Sequence, residues 1–206
     1  MNYGMVRDQV LMLLNQYTVA GNPVAGTYNN QQDYLNRIPA LVNDAMMEIA
    51  TTARKIPAVL KLEDLEQTKE GDQVRYTLPE DFYQLISGSI VRTDRGTLLH
   101  TNLYTIRGRK YLTVPGEEAG GYALDYYRYP SLLGEKPRDT DELDNEPDTH
   151  CAVPFYVAAF LADHDDPWLA ALFNNKFEDK LAKLSGGRTA EVRPTADAYS
   201  FFGAGG

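Results

Sequence analysis

The sequence predicts an α+β fold: a bundle of about four helices, a small antiparallel β module inserted between them, and an extended C-terminal tail. Three observations predict it. Apolar residues recur at helical spacing near both ends of the chain. Between Gln73 and Pro130 they alternate with polar residues in short runs separated by Gly and Pro. The last residues are small and glycine-rich. The bundle is assigned to residues 1–60 and 148–186, the β-rich insertion to 72–132, a connecting loop to 133–147 and a flexible C-terminal tail to 187–206.

The first helix is predicted from about Tyr3 to Tyr17, with Val6, Val10, Leu13, Leu14 and Tyr17 on one face. Gly21, Asn22, Pro23 and Gly26 then break the pattern. A second helix is predicted from about Gln32 to Lys55, carrying Leu35, Ile38, Leu41, Val42, Ala45, Met46, Ile49 and Ala53. Pro39 either kinks it or marks a restart, because proline is tolerated in a first turn and disruptive later. Arg54 and Lys55 suit the negative end of its dipole, and Pro57 closes it.

Five short strands are predicted at Val74–Leu78, Ser89–Arg92, Leu103–Ile106, Tyr111–Val114 and Tyr122–Tyr127. Asp94-Arg95-Gly96, Arg107-Gly108-Arg109 and Pro115-Gly116 supply turns. The acidic, proline-bearing stretch from Leu133 to Asp148 reads as a surface loop. Helices resume near Asp148, where Asp148 or Thr149 can cap, and present Ala152, Phe155, Tyr156, Ala159 and Phe160 as an apolar face. Asp163-His164-Asp165-Asp166-Pro167 is a joint, with Asp166 before Pro167 starting the last helix. Leu169, Leu172, Phe173, Phe177, Leu181 and Leu184 form its core stripe, ending at Gly186-Gly187.

Composition narrows the function. The chain has 206 residues and a formal net charge of −9, which argues against a high-affinity DNA binder, since that affinity comes from Lys and Arg replacing counterions. It does not exclude a protein that surrounds DNA without gripping it. The single cysteine, Cys151, cannot form an internal disulfide and reads as a small buried apolar residue. No apolar run approaches a membrane span, and the first residues do not read as a leader, so a protein made and kept in the cytoplasm is expected.

Candidate chemistry is sparse. Asp163, His164, Asp165 and Asp166 resemble a metal cluster on paper, but consecutive residues at a joint point apart, and capping explains them without a metal. His150 beside Cys151 suggests a nucleophilic pair, yet such partners normally meet from distant positions. Glu80 and Asp81 after Pro79 read as a turn rather than a carboxylate pair. None of the Gly-Gly pairs lies in a phosphate-loop context. No catalytic residue, metal or cofactor is therefore expected. Arg92, Arg95, Arg107, Arg109 and Lys110 make the β region locally basic. They could face DNA, face an acidic partner, or form a solvated edge that discourages strand pairing.

Four stretches in order carry a resemblance: Tyr76-Thr77-Leu78-Pro79-Glu80-Asp81-Phe82, Tyr126-Tyr127-Arg128-Tyr129-Pro130, the helix opening at His150 to Ala159, and Asp166-Pro167-Trp168 leading to Asn174-Asn175-Lys176-Phe177. Over roughly residues 30 to 185 the chain resembles the head–tail adaptor, or connector, proteins of tailed bacteriophages, and it shares features with other phage neck and tail-completion proteins. The resemblance implies a structural virion protein of the neck, assembled in the host cytoplasm. It implies a ring, commonly of twelve subunits, that docks under the portal, meets a tail or nozzle or stopper protein, and lets double-stranded DNA pass without specific binding. In it the helices form the ring body, and the β module faces the tail side or the neighbour. The C-terminal extension reaches the portal, and Arg193, Tyr199, Phe201 and Phe202 are its candidate contacts. Residues 188–206 are the kind of segment that orders on a partner, although chain ends are often simply frayed. Two rivals of other classes are a small hydrolase built on the joint aspartates and a DNA-binding module built on the β-region arginines.

Overall fold

The computed structural model describes residues 1–15, 28–93, 99, 103–116 and 119–186. Among these residues the chain forms four helices and two antiparallel sheets, the α+β class expected. Helix α1 spans Tyr3–Leu13 and starts where the Asn2 side chain accepts the Met5 N–H at 3.0 Å. It stops short of Tyr17 because Asn15 turns into the left-handed region at φ 55°, which Asn tolerates better than most residues. Val6, Val10 and Leu11 are fully buried.

Helix α2 spans Tyr28–Thr52, beginning earlier than predicted and running unbroken through Pro39. Its buried face, Ile38, Val42, Ala45, Met46 and Ile49, matches the predicted spacing. It ends before Lys55 because the chain extends into strand β1, Ile56–Lys61.

Among the described residues seven strands replace the five predicted. They are β1, β2 (Gln67–Glu70), β3 (Gln73–Thr77), β4 (Phe82–Arg92), β5 (Thr105–Arg107), β6 (Tyr111–Pro115) and β7 (Tyr122–Arg128). One sheet has the order β1-β7-β4 and the other β2-β3-β6-β5. Strand β1 lies within the span assigned to helices, and it pairs with β7 from Ile56↔Arg128 to Lys61↔Ala123. Strand β4 starts at Phe82, not at Ser89, and absorbs register shifts between Phe82 and Gln84 and between Leu85 and Ile90. Leu62, Val74, Tyr76, Leu78, Phe82, Ile90, Leu112, Val114, Tyr122, Leu124 and Tyr126 form one core between the sheets.

After a short 3-10 turn at Pro147–Thr149, α3 spans Val153–Ala162 and α4 spans Pro167–Gly186. The predicted Asp166 cap is present: its Oδ1 accepts the Leu169 N–H at 3.0 Å. Helix α3 packs against α1, α2 and α4, so Val153, Val157, Ala158, Ala159, Leu161 and Ala162 are all buried. The apolar face predicted for it is therefore wrong at Phe160, which points outward. On α4 the stripe holds at Phe173, Phe177 and Leu181, with Phe177 edge-on to Tyr156 at 5.1 Å.

The stretch predicted as a surface loop is a strap. The Asn43 side chain donates to the Leu133 carbonyl at 2.9 Å and accepts the Leu133 N–H at 2.8 Å. Farther along, the carbonyls of Asp139 and Asp141 accept the Gly4 and Tyr3 N–H groups, satisfying donors that the first turn of α1 cannot. A side chain at Gly4 has no room, since a Cβ there falls 2.9 Å from the Asp139 Cβ. The Arg128 guanidinium then meets Asp144 at 2.5 and 2.8 Å, and Arg54 meets Glu146 at 2.5 Å and Asp148 at 2.8 Å.

Candidate assembly surfaces

Several of the groups that suggested catalysis are engaged in holding the fold. His150 is buried, with Nδ1 2.7 Å from the Met1 amino group and Nε2 2.9 Å from the Asn145 carbonyl oxygen. Burial pushes the imidazole below its ordinary pKa, with the Asn145 carbonyl opposing. Cys151, expected to be buried, is exposed, and its thiol faces the Asp148 carbonyl at 3.6 Å. The 3-10 turn before α3 rotates it outward while its neighbour Ala152 goes inside. Nucleophile and imidazole thus do not meet.

At the joint, Asp166 caps α4 and the Tyr34 hydroxyl donates to Asp165 Oδ2 at 3.2 Å. That carboxylate, after burial, raises the Tyr34 pKa. Asp81 Oδ1 accepts from the Tyr126 hydroxyl at 3.3 Å. Among the described residues no group of three His, Cys, Asp or Glu side chains could hold a metal. No helix of the described residues is long and apolar enough to cross a membrane.

The basic residues of the β region divide by what holds them. The Arg92 guanidinium lies over the Tyr122 ring at 5.7 Å. Arg109 reaches across to the other sheet. Its Nη1 donates to the Tyr129 hydroxyl, and its guanidinium lies 5.2 Å from the centre of the Tyr83 ring. Tyr83 and Tyr129 in turn pack at 5.0 Å. Gly108 and Arg109 both have positive φ, 58° and 59°, in the turn joining β5 to β6, and the Lys110 N–H donates to the Arg107 carbonyl at 3.1 Å. Arg107 and Lys110 are exposed on either side of that turn. Arg95 lies outside the described residues, as do Arg193, Tyr199, Phe201 and Phe202.

The sequence reading missed a second surface. Beside the α3–α4 joint, Phe160 is 50% exposed, Trp168 73% and Leu172 36%. Phe160 lines a shallow groove with Ala159, Asp163, Pro167, Ala170, Ala171 and Asn174, and Trp168 and Leu172 follow the lining residues Pro167 and Ala171 along α4. One sequence signal was available: Trp168 falls off the spacing of Ala170, Phe173, Phe177 and Leu181 that α4 buries. Large apolar side chains held open together mark contact surfaces.

Comparison with curated proteins returned no match. Comparison with protein families matches residues 1–198 to the family described as SU10 adaptor protein. With nearly its whole length matched, the chain belongs to the SU10 adaptor protein family, a family of phage head–tail adaptors.

Proposed function

We propose that this protein is a ring-forming structural component of a phage neck. Copies close into a ring, commonly of twelve, that docks beneath the portal and joins the DNA-filled head to the tail or to a nozzle or stopper protein. The observation that carries this reading is the family match over residues 1–198. In this reading the helical part, 1–60 and 148–186, forms the ring body. The β part, 72–132, faces the tail side or the neighbouring copy, and the segment 187–206 reaches the portal. The ring is assembled in the host cytoplasm and resides in the virion neck. DNA passes through the lumen, and the net charge of −9 supports sliding over gripping, because an acidic wall releases no counterions.

Arg193, Tyr199, Phe201 and Phe202 contact the portal, while Arg92, Arg95, Arg107, Arg109 and Lys110 face DNA or a partner. Burying one Phe is worth about 1.5–3 kcal/mol, so a single tail binds weakly after its ordering cost. Many tails on one ring convert weak contacts into stable attachment. Mass photometry of the protein alone and mixed with portal particles tests the reading. Portal particles gain the mass of a ring with the full chain and lose that gain when residues 188–206 are deleted. No gain from the full chain defeats the ring-on-portal reading. Equal gain from the truncated chain defeats only the tail contact.

A further inference from the structure

The groove beside the α3–α4 joint opens at the edge of the helix packing, its lining running from buried Ala159 and Ala170 to exposed Phe160, Asp163, Pro167 and Ala171. Ala170, Phe173, Phe177 and Leu181 already bury one side of α4, and Trp168 stands on the opposite side. Phe160, Trp168 and Leu172 are the residue types that anchor protein interfaces, Trp above all.

The border of the groove selects the partner by charge. Asp163 lines it and is exposed, Asp165 and Asp166 follow, and no Lys or Arg occurs between residues 163 and 175. A phosphate backbone is repelled from such a rim, whereas a cationic protein surface is drawn to it. The chain carries that surface itself. Residues 103–116 contain Arg107, Arg109 and Lys110 and no Asp or Glu, in a chain whose formal charge is −9. Arg109 is used internally: its contacts to Tyr129 and Tyr83 tie the β5–β6 turn to the other sheet and fix its direction. Arg107 and Lys110 remain exposed, with no ion pair to either among the described residues.

We infer that the α3–α4 groove receives the β5–β6 turn of a second copy of this chain. The inference rests on the ring reading and names its subunit contact. A closed ring needs a heterologous interface, in which one patch of each copy meets a different patch of the next. A groove lined by Phe160 and small apolar residues with an acidic rim, and a rigid basic turn, are two such patches. The stems of Arg107 and Lys110 cover Phe160 and Trp168, their charges meet Asp163, and the Trp168 ring accepts a cation over its face.

Charge reversal tests the pairing in the full chain. Asp163→Lys, Trp168→Ala and the pair Arg107→Glu/Lys110→Glu each alter exposed positions, and circular dichroism checks that each variant folds. Mass photometry, with and without portal particles, reads self-assembly. Each variant raises the concentration for half-assembly by about tenfold or more. Combining Asp163→Lys with Arg107→Glu/Lys110→Glu recovers assembly relative to either alone. Single variants that assemble like the wild type overturn the inference, and so does a combined variant no better than its parents. Trp168→Ala that self-assembles normally but no longer attaches to the portal also overturns it, since the groove then takes the portal. A wild type that forms no ring in either setting defeats the ring reading and this inference together. A wild-type ring with unaffected variants defeats the inference alone.

Discussion

Replacing Asp144 with Asn removes one charge from the strap that joins the two halves of the molecule. The Asp144 carboxylate accepts from Arg128 at 2.5 and 2.8 Å and from the Ser131 N–H at 2.6 Å. The Arg128 guanidinium, helped by the Ser131 N–H, holds the Asp144 carboxyl down at about 2 against an ordinary 3.8. A shift of that size corresponds to about 2.4 kcal/mol at full strength. The pair is partly open to solvent, the side chains being 23% and 29% exposed, and screening reduces the expected loss to about 1–1.5 kcal/mol. Asn keeps the shape and one acceptor, so the loss reports the charge. For a chain of this size it lowers Tm by about 3–5 °C at pH 7. The pH dependence has a fixed sign. The carboxyl pKa is lower in the folded state, so its contribution is complete above the unfolded value and is lost as pH falls toward the folded one. Urea unfolding of both proteins therefore shows a gap at pH 7 that narrows below about pH 4 and is roughly halved at pH 3. A gap of equal size at pH 7 and pH 3, or none at pH 7, refutes the reasoning.

Three further outcomes are expected. Phe177→Ala, at a buried position edge-on to Tyr156, costs about 3–5 kcal/mol in chemical denaturation, and a variant as stable as the wild type means the stripe of α4 is not core. At position 109 both Gly and Ala lose the clasp to Tyr129 and Tyr83, but only Ala keeps the cost of φ 59°, so Arg109→Gly is the more stable of the two by about 1 kcal/mol in thermal melts. Cys151 reacts with a thiol reagent in the native protein at a rate close to that in denaturant, whereas slow native labelling would place it back inside.

The legible parts of this fold were those written in a repeating pattern. Helix α2 and the Phe173–Phe177–Leu181 stripe of α4 bury the residues their spacing selects. Strands β3, β6 and β7 alternate because one face of each meets the core between the sheets. Strand β2, Gln-Thr-Lys-Glu, has no apolar residue and is exposed throughout. It is a strand because Gly71, at φ 60°, turns the chain back along β3, and pairing rather than propensity decides such a strand. Strand β1 was hidden by Pro57, which ends a helix but is compatible with an edge strand. Phe160 was misassigned because α3 is apolar nearly all round, and a helix with no polar face gives no clue to its outer side.

The strap matters most for how an adaptor holds its shape. Helix α2 passes directly into β1, so a single crossing of the chain would leave the β part free to swing. The strap makes a second crossing. It leaves β7 at Arg128, returns to α2 through Asn43, and touches the first turn of α1 at Tyr3 and Gly4. It then closes on Arg54, just past the end of α2, through Glu146 and Asp148, while the Asn145 side chain donates to the Met46 carbonyl at 3.1 Å. The Arg128–Asp144 pair links the last residue of β7 to this same return path. Ion pairs of this kind contribute little when isolated at a surface, but here several act on one segment that is already ordered at both ends. The acidity of residues 133–148, which in the sequence looked like a solvated loop, is thus partly consumed by Arg7, Arg54, Arg128 and Arg138. A part that joins two larger assemblies must hold its shape, and this double crossing supplies that constraint between the helices and the sheets.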